Sequence, residues 1–291
     1  MSRWSTRRGW LRYAVGASFG LSVILGLTLL RVCSTFNATV QTETLSFRSG
    51  GAPMSRWPLR GARVFAAGSR TPAVFSGMLE IRDSVDVSVQ RIASGPLFIR
   101  LRAGNRRASV GRLYHESDDL AAVLPAVAEI VIDSVPQRAE RGENIVLQFA
   151  GHASVGAELG FMTRVGAPVL REGNITMLGG NIIGPGKFDA GSFRLQPGDY
   201  LHVENPLSPA IGFIVADERP ALTGIVRVLA RSAQVDRAGG TGYRLSMSLF
   251  DQIWLDPVVR SFAVLVSSII GLFLFLVEKG PIIRSKLRIS R

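Results

Sequence analysis

The chain has 291 residues and a formal charge of +12, from 34 Lys+Arg against 22 Asp+Glu, with hydrophobic residues making up 47% of it. So basic a balance raises nucleic acid as a partner, but Arg3, Arg7, Arg8, Arg12 and Arg31 supply five of the charges, and a net four follow from Asp256 onward. The long middle keeps only +3, which excludes a nucleic-acid reading. The single cysteine, Cys33, excludes an internal disulfide, so the fold rests on its core alone.

In chain order the first feature is an arginine-rich tail, 1–12, followed by the uncharged apolar stretch Tyr13–Leu30. About 17–20 apolar residues are what a helix needs to cross the hydrocarbon core of a bilayer, and positive charge stays on the cytoplasmic side. No A-x-A follows; the best cleavage frame puts Val32 and Ser34 at the −3 and −1 positions beside Arg31, so the segment reads as an uncleaved anchor over 13–32. Leu30-Arg31-Val32 places a charge where a lipoprotein needs a small or apolar residue, so Cys33 reads as an inert thiol near the membrane surface. Within the tail, Thr6-Arg7-Arg8-Gly9-Trp10-Leu11-Arg12 resembles the twin-arginine export signal. That resemblance implies a domain folded before it crosses; an arginine pair that only sets orientation explains the same residues.

The middle, 33–255, predicts a mainly β domain, a sandwich or distorted barrel bracketed by two transmembrane helices. Val85–Gln90 alternates apolar and polar strictly, as a half-buried strand does. Leu97–Arg102 follows after the turn Ser94-Gly95-Pro96, which predicts a hairpin. Ile145–Phe149, Tyr200–Val203, Ile225–Leu229 and Tyr243–Leu249 alternate likewise. Turn chemistry stands at Ala103-Gly104-Asn105, Glu172-Gly173-Asn174, Pro197-Gly198-Asp199 and 238–242. Ser49–Arg60, with an exposed-looking Trp57, and Gly179–Gly191 read as loops. Ser117-Asp118-Asp119 reads as a helix cap, with Leu120, Val123, Leu124 and Val127 on one face; Pro125 interrupts that pattern, so one or two helical turns are expected before a strand near Ile130.

The chain then enters a second apolar stretch, Ser261–Val277, within a predicted transmembrane helix over 256–278, with Asp256 as N-cap and Pro257 in the first turn. Glu278-Lys279-Gly280-Pro281 reads as its stop, and 279–291 as a basic cytoplasmic tail lying on anionic lipid. Gly16, Gly20 and Gly271 make small-residue faces on which either span can pack against another helix.

Chemistry-bearing constellations are sparse. Gly184-Pro185-Gly186-Lys187 lacks the Ser/Thr and the glycine-to-lysine frame of a phosphate loop. His202 and Glu204 share one strand face and, with His152 or Asp199, would make a two-histidine, one-carboxylate metal set; solvation of a polar face explains them equally. His115-Glu116-Ser117-Asp118-Asp119 reads as a helix N-terminus. No G-x-S-x-G is present for a serine hydrolase, and the one thiol is Cys33. No catalytic, cofactor-binding or metal residue is assigned, and no cofactor is expected. The pattern implies a two-pass bacterial inner-membrane protein, both termini cytoplasmic, whose periplasmic β domain binds or scaffolds other membrane or envelope proteins. It permits a homo-oligomer. Two other readings stay open: an accessory subunit of a transport or polysaccharide-export complex, similar in topology to co-polymerases with two bracketing helices, and a membrane-anchored glycan enzyme using Glu204, Asp199, His202 or Asp118.

Overall fold

The computed structural model describes residues 22–289 apart from 51–52, 67–70, 106–107, 134, 136–142, 156–169, 205 and 238–240. The twin-arginine pattern at 6–12, most of the first apolar stretch and part of the 238–242 turn lie outside the described residues. After a helical segment at 22–29, the chain forms β1 (Arg31–Val32), β2 (Ser34–Thr42), β3 (Thr44–Gly50), β4 (Arg56–Ala66), β5 (Ala73–Ile81), β6 (Asp83–Gln90), β7 (Leu97–Ala103), β8 (Gly111–Tyr114), β9 (Leu120–Leu124) and β10 (Val127–Ile132). It continues as β11 (Ile145–Val155), β12 (Leu170–Gly180), β13 (Lys187–Leu195), β14 (Tyr200–Glu204), β15 (Ala210–Ala216), β16 (Leu222–Ala230), β17 (Ser232–Asp236), β18 (Tyr243–Leu245) and β19 (Met247–Ser248), and ends in helices α1 (Leu249–Leu255) and α2 (Pro257–Ile289). The molecule is mainly β, as the alternation predicts.

The larger of two units comprises residues 33–178 and 191–247. Its strands pair antiparallel in one continuous ladder, β9–β8–β5–β4–β10–β7–β6–β3–β11–β15–β16–β2–β12. A branch, β14–β17–β18, joins the far end of β11 through Ser154 opposite His202. The predicted β6–β7 hairpin is present, with Val87 opposite Leu101. β11 is the hinge of the ladder: Ile145–Gly151 pairs with β15 and Gly151–Val155 with β3. At this hand-over Gly151 has φ +156°, and a Cβ there would lie 1.8 Å from the Arg48 carbonyl oxygen, so only glycine lets β11 pass.

Every second residue faces inward. Val85, Val87 and Val89 of β6 meet Leu97, Ile99 and Leu101 of β7, all buried, and Phe47 stacks on Phe149 at 4.7 Å while Trp57 meets Phe47 edge-on at 6.1 Å. Beyond β11, Phe36, Ile175 and Val226 face Val155, Leu201 and Ala233 across a cavity of only about 20 Å³. A buried arginine joins two hairpin turns at the edge of this core. Arg91 Nε donates to Gly95 O at 3.3 Å, and its Nη1 donates to the carbonyl oxygens of Asp217 (2.7 Å), Arg219 (3.2 Å) and Ala221 (3.2 Å). Burial pulls the Arg91 guanidinium below its ordinary pKa and the Asp217 charge partly restores it. Ala221 N–H donates to Ala93 O at 2.8 Å, both alanines having positive φ.

Several local expectations are overturned. Trp57 is fully buried, and the stretch from Arg56 is strand: its indole N–H donates to Gln148 O at 2.5 Å. Pro58 is tolerated there because β10 pairs only with 63–66 of β4, leaving Pro58 a single strand neighbour. Glu172-Gly173-Asn174 is no turn but the interior of β12; a Cβ at Gly173 would come 2.9 Å from Val40 Cγ1, so the glycine serves packing. Leu120–Leu124 is strand β9 rather than helix, because pairing with β8 decides a run whose own periodicity is weak. The turn before it closes through His115 N–H to Asp119 O, with Asp118 at φ +66°. Gly179–Gly191 is largely the β12–β13 hairpin.

The smaller unit comprises residues 1–32, 179–190 and 248–291. The predicted strand Tyr243–Leu249 is present as β18 and β19 as far as Ser248; helix begins at Leu249 because Ser248 caps α1: its hydroxyl accepts from Asp251 N–H, and Asp251 accepts in return from Ser248 N–H, a reciprocal capping box. Asp256 is the expected N-cap of α2, accepting from Val258 N–H at 2.8 Å. Pro257–Phe275 of α2 has mean hydropathy 2.2 and none of it is buried, long and apolar enough to cross a membrane. The helix does not stop at Gly280-Pro281; its backbone runs to Ile289, so the lost donor and the ring's clash with the preceding turn are accommodated within it.

Candidate partner-binding face

The outward side of the ladder in the larger unit is a grid set by strand register. One row runs across seven strands as Gln234, His202, Ser154, Ser46, Ser88, Arg100 and Glu129. Beside it runs a second, His152, Arg48, Asp86, Arg102 and Val127. Strand geometry brings opposite residues to about 5 Å between Cβ atoms, so these side chains form one continuous surface around a shallow concavity of about 590 Å³. Arg48 Nε donates to Asp86 Oδ1 at 3.0 Å, Arg100 Nη2 reaches Glu129 Oε2 at 3.5 Å, and the Ser46 and Ser88 hydroxyls lie 3.4 Å apart. Three arginines against two carboxylates leave the face positive, and Arg102 has no ion-pair partner among the described residues.

On the other edge of β11 the same outward side turns apolar. β15 alternates Ile211 and Phe213 outward with buried Ala210, Ile214 and Ala216, so both of its faces are apolar. Phe213 lies opposite Gln148 on one side and Ile225 on the other, and Val146 completes the patch. Val146, Ile211, Phe213 and Ile225 are each 43–45% exposed. A sheet face of aliphatic and aromatic side chains bordered by arginines has the anatomy of a protein–protein contact, an apolar centre with a charged rim.

The residues singled out from sequence scatter. His152 and His202 do share this face, in neighbouring rows. His202 Nδ1 stands 3.4 Å from Asp236 Oδ2 and tilts against Tyr200. Asp199 is buried and engaged elsewhere, accepting from Arg237 Nε at 3.1 Å and Gln196 N–H at 2.8 Å. The hydrogen bond to Asp199 raises the Arg237 pKa, and burial, then the Asp199 charge, raises that of Tyr243, which lies beneath the Arg237 guanidinium. Asp118 pairs with Arg56 on β4. His115 packs beside Phe75 at 6.1 Å. Gly184–Lys187 is the β12–β13 turn, and Cys33 is an exposed free thiol.

Among the described residues there is no group of three or more His, Cys, Asp and Glu placed to hold a metal ion. The serines of the grid bond to one another or to backbone, not to a histidine. What the surface offers chemically is charge-assisted hydrogen bonding from its arginines beside exposed apolar side chains. Its arginines at 100 and 102 were readable as one strand face; their neighbours were not, because register is absent from sequence. The unbroken apolar run Ala210–Ala216 carried a signal of two-sided apolarity. Neither protein-family models, curated proteins nor solved structures match this chain.

Proposed function

We propose that this chain is a two-pass bacterial inner-membrane protein whose β-rich domain lies in the periplasm and acts without catalysis, binding and scaffolding another envelope protein through the outward face around β11. The observation that carries the reading is the exposed apolar patch of Ile211, Phe213 and Ile225 beside an arginine-rich grid. The membrane part is supported by the unburied apolar length of α2 and by nine of twelve excess positive charges lying at the two chain ends.

A photo-crosslinking residue at position 213 in intact membranes tests the binding reading, with position 74, on another strand, as control. A discrete adduct from 213, lost when Ile211→Asp is added, supports it; an adduct of two copies of this chain assigns the partner as a homo-oligomer. No adduct, or the same one from position 74, refutes it. The single thiol tests the topology: Cys33 is to react with a membrane-impermeant maleimide in spheroplasts, and a thiol that reacts only after lysis refutes the periplasmic placement.

A further inference from the structure

The tip of the β12–β13 hairpin, residues 179–190, belongs to the same unit as α1 and α2. Tight turns are ordinarily made of Gly, Pro, Asn, Asp and Ser. This one, closed by Asn181 N–H to Gly186 O at 2.9 Å, presents two adjacent isoleucines, Ile182 and Ile183, 46% and 61% exposed. Strand alternation does not account for them, because both lie between the strands.

The tip is fastened at two points to the chain leading into α2. Gln252 Nε2 donates to Gly180 O at 2.7 Å, and Ile182 N–H donates to Asp256 Oδ2 at 2.6 Å. The other oxygen of that buried carboxylate accepts from Val258 and Val259 N–H, capping the first turn of α2. One side chain therefore holds the isoleucine turn level with the beginning of the long apolar helix. It also satisfies the Ile182 N–H, a donor whose exposure to hydrocarbon would be costly. Trp254, 67% exposed and stacked on Phe250 at 6.3 Å, stands on the same approach to α2.

We propose that Ile182 and Ile183 insert into the headgroup–acyl boundary of the bilayer that α2 spans, forming a second, non-helical anchor beside Trp254. This rests on the membrane-spanning reading above. The boundary zone favours such a set, since aliphatic and indole groups enter it while basic groups such as Lys187 and Arg260 face phosphate.

The test uses the full chain, Cys33→Ser, reconstituted in nanodiscs of phosphatidylethanolamine and phosphatidylglycerol. An environment-sensitive fluorophore is attached singly at Ile183→Cys, at Leu265→Cys within α2, or at Ser94→Cys on the β6–β7 turn. Two lipid quenchers are used, one with doxyl near the headgroup and one with doxyl at the acyl-chain end for the 265 label; the first is to quench the 183 label several-fold more than the 94 label, and aqueous iodide correspondingly less. If the 183 label behaves like the 94 label while the 265 label is lipid-quenched, the anchor proposal falls and the spanning reading stands. If the 265 label is also quenched by iodide and not by lipid, both fall.

Discussion

Arg91 offers the sharpest test of what holds the larger unit together. It is fully buried, and its guanidinium serves four backbone carbonyls: Gly95 on its own hairpin turn, and Asp217, Arg219 and Ala221 on the β15–β16 turn. The Asp217 carboxylate is not its partner in these bonds, being held by Arg219 through Nε at 3.0 Å and Nη2 at 2.8 Å. Replacement by alanine removes the donors from one buried carbonyl, that of Ala221, and three part-buried ones. Hydrogen bonds to a charged group contribute about 1.5–3 kcal/mol each. Three of the four share one nitrogen, so they count as roughly two bonds, or about 3–6 kcal/mol. At about 2–4 °C per kcal/mol for a unit of this size, Arg91→Ala should lower the Tm of the detergent-solubilised chain by roughly 6–24 °C, read by far-ultraviolet circular dichroism. Arg91→Lys keeps a charge but loses the planar fork and should recover only part of that. Arg91→Met keeps the length and removes the charge. If it melts with the wild type, the carbonyls do not need the guanidinium and the reasoning is wrong. Arg102→Ala, on the exposed face, is the control and should stay within about 0.5 kcal/mol.

Three further outcomes follow from the geometry. Trp57→Ala should cost about 3–5 kcal/mol, as emptying an aromatic core site does, and Trp57→Phe clearly less; an exposed loop tryptophan would give almost no change in a urea titration of either variant. Ser248→Ala removes one half of the capping box on α1 and should cost about 1 kcal/mol, with Ser248→Gly milder; equal stability of all three chains would count against the cap. Tyr243 has its phenol pKa raised by burial and by the Asp199 charge. Its neutral form is favoured in the folded state, so this stability is complete below the ordinary phenol value of about 10 and is lost as pH rises through the raised folded value. Relative to Tyr243→Phe, the wild type should therefore lose Tm only above pH about 10, and a pH-independent difference between the two would refute the shift.

How much of this was legible depended on whether local pattern or partner strand decided the outcome. Val85–Gln90 and Leu97–Arg102 were readable because alternation and the Ser94-Gly95-Pro96 turn agree with the fold they enter. Trp57 was misread because glycine and proline around it carry two meanings: turn chemistry in isolation, and, beside a single strand neighbour, an ordinary edge position. Gly173 shows the same ambiguity, since its missing side chain answers Val40 and Leu195, residues far from it in sequence. Leu120–Leu124 has helical spacing only if its partner Gly111–Tyr114 is ignored.

The outward face was illegible for a deeper reason. Alternation says that Arg100 and Arg102 point the same way, and nothing more. That they meet Ser88 and Asp86, then Ser46 and Arg48, then Ser154 and His152, is the sum of three registers. Slipping any one strand by a residue would turn its outward set inward, so the grid is a consequence of the buried faces: Val87 opposite Leu101 and Phe47 opposite Val87 fix where the polar residues stand. The apolar patch depends on the same strand from its other edge, where Phe149 opposite Gly212 seats Gln148 against Phe213. Charged rows and apolar patch are thus two readings of one core, joined at Gly151, so a disturbance of β11 displaces both.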